Sequence, residues 1–154
     1  MNIISCIKVA FFDLGGTLVG NNRDWIPGAP DTLSKMHQRG IRLGLISNTK
    51  DLSRAEILEL LPEDFDMTLF QNELVIFSSE VHVEKPNPQI FKLAVKQAGV
   101  KPTECLFCTE ELPHILAAEQ EGMQTALVQA PPNSDIGTLV ERLTSQGLLI
   151  GLKR

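Results

Sequence analysis

Cysteine is scarce, basic charge is in deficit, and no long apolar run occurs anywhere in the chain. Three cysteines cannot form an even disulfide framework, so a reducing, cytoplasmic setting is the expectation. Cys105 and Cys108 have C-x-x-C spacing but lie in Glu104-Cys105-Leu106-Phe107-Cys108, which reads as a strand. Residues three apart on a strand face opposite sides, which argues against a shared metal. Lysine and arginine number 14 against 19 acidic residues, a net charge of −5. That balance disfavours general nucleic-acid binding, which needs basic patches, but leaves room for a small anion held by one or two cations. No stretch approaches the length of a membrane-spanning helix. Ile3-Ile4-Ser5-Cys6 has the look of a lipoprotein cleavage box, yet neither basic residues nor an apolar segment precede it, so no lipid anchor is expected. Repeats, low-complexity tracts and linkers are missing too, and one domain over 1–154 is expected.

The remaining composition, 43% hydrophobic and 21% charged, is that of a globular chain able to bury a core. Apolar runs alternate with amphipathic stretches throughout, the pattern of a parallel sheet covered by helices. Strands are predicted at Val9–Phe12, Ile41–Ile46, Leu74–Ser78, 104–108 and Gln124–Val128. Helices are predicted over 29–39, 53–61, 88–98, from the end of 109–114 to Gly122, and over about 134–146, with a short helical turn somewhere in 62–72. Ser53 and Glu56 have capping-box spacing. Asn87 and Pro88 make an N-cap and first helical residue, and Gly40 and Gly99 are helix stops.

The organising stretch is Phe11-Phe12-Asp13-Leu14-Gly15-Gly16-Thr17-Leu18, where a buried strand ends in a carboxylate. Open α/β sheets place ligands at the carboxyl ends of strands, often where strand order reverses. Ser47 follows the second strand, Lys85 lies after the third, and Glu110 follows the fourth. Each has a plainer reading alone: a turn cap, a solvated cation, favourable charge near a helix start. Together, two carboxylates, a hydroxyl and an ammonium at one rim suit phosphoryl transfer with Mg²⁺.

Those four clusters resemble the motifs of the haloacid dehalogenase (HAD) superfamily, and the likeness spans roughly residues 7–130. The stretch around Asp13 is similar to D-x-D-G-T, and Leu45-Ile46-Ser47-Asn48 to the second motif. Val83-Glu84-Lys85-Pro86-Asn87-Pro88 is similar to the third, and Leu106-Phe107-Cys108-Thr109-Glu110 takes the place of the fourth. The resemblance implies an α/β, three-layer Rossmann-like domain with a five-stranded parallel sheet. It implies that Asp13 becomes phosphorylated. Ser47, Asn48, Lys85 and Gly16 would hold the phosphoryl group, and Thr17 would steady the catalytic loop. Mg²⁺ would bind Asp13, the Gly15 carbonyl and Glu110.

Departures from the motifs shape the expectation. Gly15 stands where the family's phosphatases carry a second Asp that moves protons, a contribution of about 10²–10⁴-fold. Glu110 is longer than the usual Asp, Thr109 replaces a Gly, and His114 stands where another Asp is usual. A weak phosphohydrolase is therefore expected. The alternative is a catalytically inactive relative that binds a phosphorylated ligand or a protein. Dehalogenases and phosphonatases also lack the second Asp but normally carry a cap, and a receiver-like phosphoacceptor would normally have its Asp on a later strand. Only 33 residues separate Asp13 from Ser47 and 37 separate Ser47 from Lys85, so no cap domain fits in either interval. Capless sites suit macromolecular substrates or are covered by another subunit or partner. No membrane partner is expected. The Trp25 loop would overhang the entrance, with Trp25 stacking on a ligand, meeting a partner or simply packing.

Overall fold

Val9–Phe12 (β1), all four residues buried, runs through the middle of the sheet. In this computed structural model, which describes residues 6–149, five parallel strands lie in the order β3-β2-β1-β4-β5. Residues 3–5 of the supposed cleavage box lie outside the described residues. The other strands are β2 (Arg42–Ser47), β3 (Phe70–Phe77), β4 (Cys105–Thr109) and β5 (Gln124–Leu127). The chain leaves β1 toward β2 and β3, then returns to the other side of β1 for β4 and β5. Strand order thus reverses at β1, which is where ligand crevices open in such sheets.

Alternation along β1 divides the core. Ala10 and Phe12 join one apolar cluster with Leu33, Met36, Leu139 and Leu143, from α1 (Ala29–Gln38) and α6 (Leu139–Ser145). Val9 and Phe11 join the other, with Ile90, Phe91 and Ala94 of α4 (Pro88–Ala98) and Ala118 of α5 (Leu112–Gln120). The Phe91 and Phe107 rings meet edge to face at 5.2 Å, an arrangement that adds about 0.5–1.5 kcal/mol beyond area burial. Cys105 and Cys108 fall in different clusters, as their spacing requires. Burial pushes the Cys105 thiol up to about 11 and raises Cys108 as well, so both are inert side chains of the core.

Helix ends follow the local chemistry. Ser53 and Glu56 form the capping box of α2 (Arg54–Glu59), and the Asn87 side chain accepts the Gln89 N–H at 3.0 Å. Gly40 and Gly99 take φ of +78° and +69°, in the left-handed region that ends helices. β3 begins four residues earlier than the apolar run predicts: Phe70 pairs with Leu43, and the exposed Gln71, Asn72 and Glu73 take up a register shift before Val75 pairs with Leu45. Ser78 opens a one-turn helix, α3 (Ser78–Val81), instead of ending the strand. The final helix is shorter than 134–146: Ile136–Thr138 is a 3₁₀ turn leading into α6. Between Asp13 and Ser47 lie only a helical turn, α1 and β2; between Ser47 and Lys85 lie α2, a 3₁₀ turn, β3 and α3.

β2 can lie close to its neighbours because position 44 has no side chain. A Cβ there would sit 2.6 Å from the Leu74 carbonyl oxygen and 2.7 Å from Phe11 Cδ1. Gly44→Ala is therefore expected to destabilise the protein by at least about 1–3 kcal/mol, seen as a lower Tm in thermal unfolding. An unchanged Tm would contradict this packing.

Candidate active site

Asp13 sits one residue beyond β1, its N–H bonded to the Cys108 carbonyl of β4 at 3.1 Å. Its side chain is nearly buried. Oδ1 accepts from the Leu14 N–H at 2.8 Å and lies 3.0 Å from Lys85 Nζ, while Oδ2 accepts from Thr109 Oγ1 at 3.2 Å. Lys85 is only 2% exposed. Its ammonium also donates to the Ile46 carbonyl at 2.8 Å and lies 5.3 Å from the Phe107 ring centre. Burial pushes its pKa down, and the charges of Asp13, Glu110 and Glu111 oppose that. Ser47, buried, is the last residue of β2 and borders the same space as Gly15.

Two residues expected at the phosphate make bonds within the chain. The Asn48 side chain is committed to the lysine loop: Nδ2 donates to the Lys85 carbonyl and Oδ1 accepts the Lys85 N–H, both at 2.9 Å. These bonds tie the lysine loop to the end of β2. The Gly16 N–H is likewise taken, donating to the Val19 carbonyl at 2.8 Å. Glycine is needed at 16 because φ is +82° and a Cβ would lie 2.6 Å from Glu110 Oε1. Thr17 reaches across the site as well as holding its own loop. Its hydroxyl donates to Glu110 Oε2 at 2.5 Å.

Glu110, just past β4, leans over Gly16. Burial raises its pKa, and the Thr17 hydrogen bond opposes the shift. One hydroxyl, Thr109 Oγ1, is 3.2 Å from Asp13 Oδ2 and 3.5 Å from Glu110 Oε2, so the two carboxylates share one small space. Among the described residues no three His, Cys, Asp or Glu side chains gather to hold a metal. Mg²⁺ does not need three: one or two carboxylates, with the rest from water and substrate, suit its hard, octahedral preference. The donors here fit that ion and would not fit zinc. Thr109 had stood out only as a departure from the motif. The pairing of Phe12 with Cys108 puts it beside Asp13, so register would have found it.

Trp25 packs against its own chain. Its ring stacks on Phe65 at 5.0 Å and its indole N–H donates to Asp64 at 2.8 Å, pinning the loop to the segment before β3. His114 is buried in α5 with Nε2 3.2 Å from Glu111 Oε2, and its Nδ1 has no partner among the described residues. Burial, then the Lys85 charge, lowers its pKa. The unfolded chain therefore takes up this proton first as pH falls. Stability from His114 is complete above its ordinary value of about 6.5 and is lost as pH drops through the lower folded value. His114→Gln is expected to flatten the fall in Tm as pH drops below about 6.5. Parallel Tm–pH curves for the two proteins would contradict it.

A family model for haloacid dehalogenase-like hydrolases matches residues 22–122. The chain is 30% identical over 116 residues to the putative phosphatase YhcW of Bacillus subtilis, covering 74% of this chain and 48% of that one. It is 30% identical over 135 residues to a glyceraldehyde 3-phosphate phosphatase of Methanopyrus kandleri, covering 87% of this chain and 54% of that one. It thus spans about half the length of these relatives. Its fold is similar to a predicted HAD-like family hydrolase from Porphyromonas gingivalis, with a TM-score of 0.73 at 18% identity, covering 91% of this chain and 98% of that one. It is also similar to a HAD family enzyme from Bacteroides thetaiotaomicron in complex with magnesium and inorganic phosphate, with a TM-score of 0.66 at 19% identity, covering 81% of this chain and 96% of that one. With the model matched over about two thirds of its length, the chain belongs to the haloacid dehalogenase-like hydrolases.

Proposed function

We propose that the chain is a slow, Mg²⁺-dependent phosphohydrolase that works through phosphorylation of Asp13. The observation that carries this reading is the buried Asp13–Lys85 pair at 3.0 Å, at the point where strand order reverses. Burying a lysine beside a carboxylate is costly unless both are held, and here three donors fix the carboxylate. That arrangement presets a nucleophile with a cation next to the oxygens it will meet.

An Asp13 oxygen attacks phosphorus, the bond to the leaving alcohol breaks, and the alkoxide takes its proton from water. Water then attacks the same phosphorus, the Asp13–phosphorus link breaks, and the carboxylate and inorganic phosphate are restored. Lys85 and the Ser47 hydroxyl offset charge on the transferring oxygens. Gly15 has no group to move a proton in either step, which makes both slow. When bound by Asp13, the Gly15 carbonyl and Glu110, Mg²⁺ would supply further charge neutralisation at the phosphoryl group.

A second reading, a phosphate-binding relative without turnover, is favoured by the Glu110–Thr17 bond and the raised Glu110 pKa, which oppose metal capture. Metal binding separates the two. Saturating Mg²⁺ is expected to raise Tm by several degrees, since about 100-fold excess over Kd stabilises by about 2.7 kcal/mol. Glu110→Gln is expected to remove most of that shift, and phosphate release from phenyl phosphate should follow Mg²⁺ occupancy. No Mg²⁺ shift and no phosphate release would overturn the first reading.

A further inference from the structure

A cleft of about 530 Å³ opens directly from the site, bordered by Ser47 and Gly15 at its inner end. Its walls are Leu14 and Val19 on one side and Leu52, Ile57, Leu60 and Leu61, in and around α2, on the other. We propose that this cleft receives the leaving group of the substrate, and that the substrate is a phosphomonoester of an uncharged, largely apolar alcohol of at least aromatic-ring size. The assignment rests on the phosphohydrolase reading above and adds a substrate class to it.

Position comes first: Ser47 and Gly15, beside Asp13, also line this cleft, so the leaving group of a monoester held at Asp13 extends into it. Chemistry follows. Leu60 is 57% exposed, an apolar side chain lining a cleft next to the reacting groups. Arg23 is the only charged residue in the lining, and its Nε donates to the Leu61 carbonyl at 2.8 Å, tying the two walls together. A leaving group carrying a second phosphate would find no buried cation to pair with there. The volume suits a small organic molecule, and a polar three-carbon unit would leave most of the apolar wall wet.

The cleft is also preformed. Asn22 and Arg23 both hold left-handed backbone, with φ of 60° and 59°, an arrangement uncommon outside glycine. The loop that carries them is pinned by Gly20 N–H to Asp24 carbonyl at 2.8 Å, Ile26 N–H to Leu18 carbonyl at 2.9 Å, and the Trp25–Phe65 stack. A wall held in place before binding spends little ordering entropy on the ligand.

Calorimetric titration with non-hydrolysable phosphonates tests this without turnover. In Mg²⁺ buffer, 2-naphthylmethylphosphonate is expected to bind at least about tenfold tighter than methylphosphonate. Leu60→Asn, at an exposed position, and Leu52→Asn are each expected to shrink that ratio severalfold while leaving methylphosphonate affinity unchanged. Methylphosphonate binding with no naphthyl preference would overturn the substrate class and leave the phosphoryl site standing. A preference untouched by both variants would overturn the placement in this cleft. If neither phosphonate binds, the phosphohydrolase reading falls and this one falls with it.

Discussion

Gly15→Asp is expected to raise the phosphatase kcat by about 10²–10⁴-fold, the usual yield of a positioned proton donor and acceptor. The backbone is ready for it. A Cβ built on Gly15 meets nothing within 4 Å, and position 15 lacks the positive φ of its neighbour Gly16. Gly15 borders the same cleft as Ser47, so a carboxyl there can protonate the departing oxygen and later take a proton from water. The side chain adds one negative charge near Asp13 and Glu110, which raises the new acid's pKa and keeps part of it protonated near neutral pH. Steady-state phosphate release from an aryl phosphate measures the gain. An unchanged kcat would mean that proton transfer is not what limits this site.

Asp13→Asn is expected to bring turnover down to the uncatalysed background, in the parent and in Gly15→Asp alike. The amide keeps the shape but is a far weaker nucleophile, and its neutrality leaves the buried Lys85 ammonium without the charge it is paired with. Buried pairs respond strongly to loss of one partner, typically by about 3–5 kcal/mol, so Tm should fall as well. Circular dichroism keeps the two effects apart: a folded, inert variant supports the chemistry. Residual activity equal to the parent would place the nucleophile elsewhere.

The parts of the site legible in the sequence are those that end a buried strand. A run such as Val9–Phe12 has no polar face, so the first carboxylate after it marks the rim of the sheet. The same logic placed Ser47, and the Pro86–Pro88 punctuation placed Lys85 before a capped helix. Partners across the sheet were harder to read. That Thr109 meets Asp13 depends on register, and that Asn48 clamps Lys85 depends on how a loop after β3 folds back over β2. Gly16 and Thr17 looked like parts of one loop, yet both serve Glu110, 93 residues from Thr17 in the chain. Trp25 was ambiguous because an amphipathic ring suits a ligand and a packed loop equally, and its stack on Phe65, 40 positions away, is a tertiary contact. The first half of β3 was hidden because its residues are polar at an exposed edge, where apolar periodicity disappears.

The most direct measurement is mass spectrometry of the intact protein, acid-quenched during turnover of an aryl phosphate with Mg²⁺, followed by peptide mapping. Gly15 leaves the second step without a base, so one phosphoryl group should accumulate on the peptide containing Asp13 and be absent from Asp13→Asn. Phosphate release without any such adduct, at a rate that Asp13→Asn shares, would contradict the account.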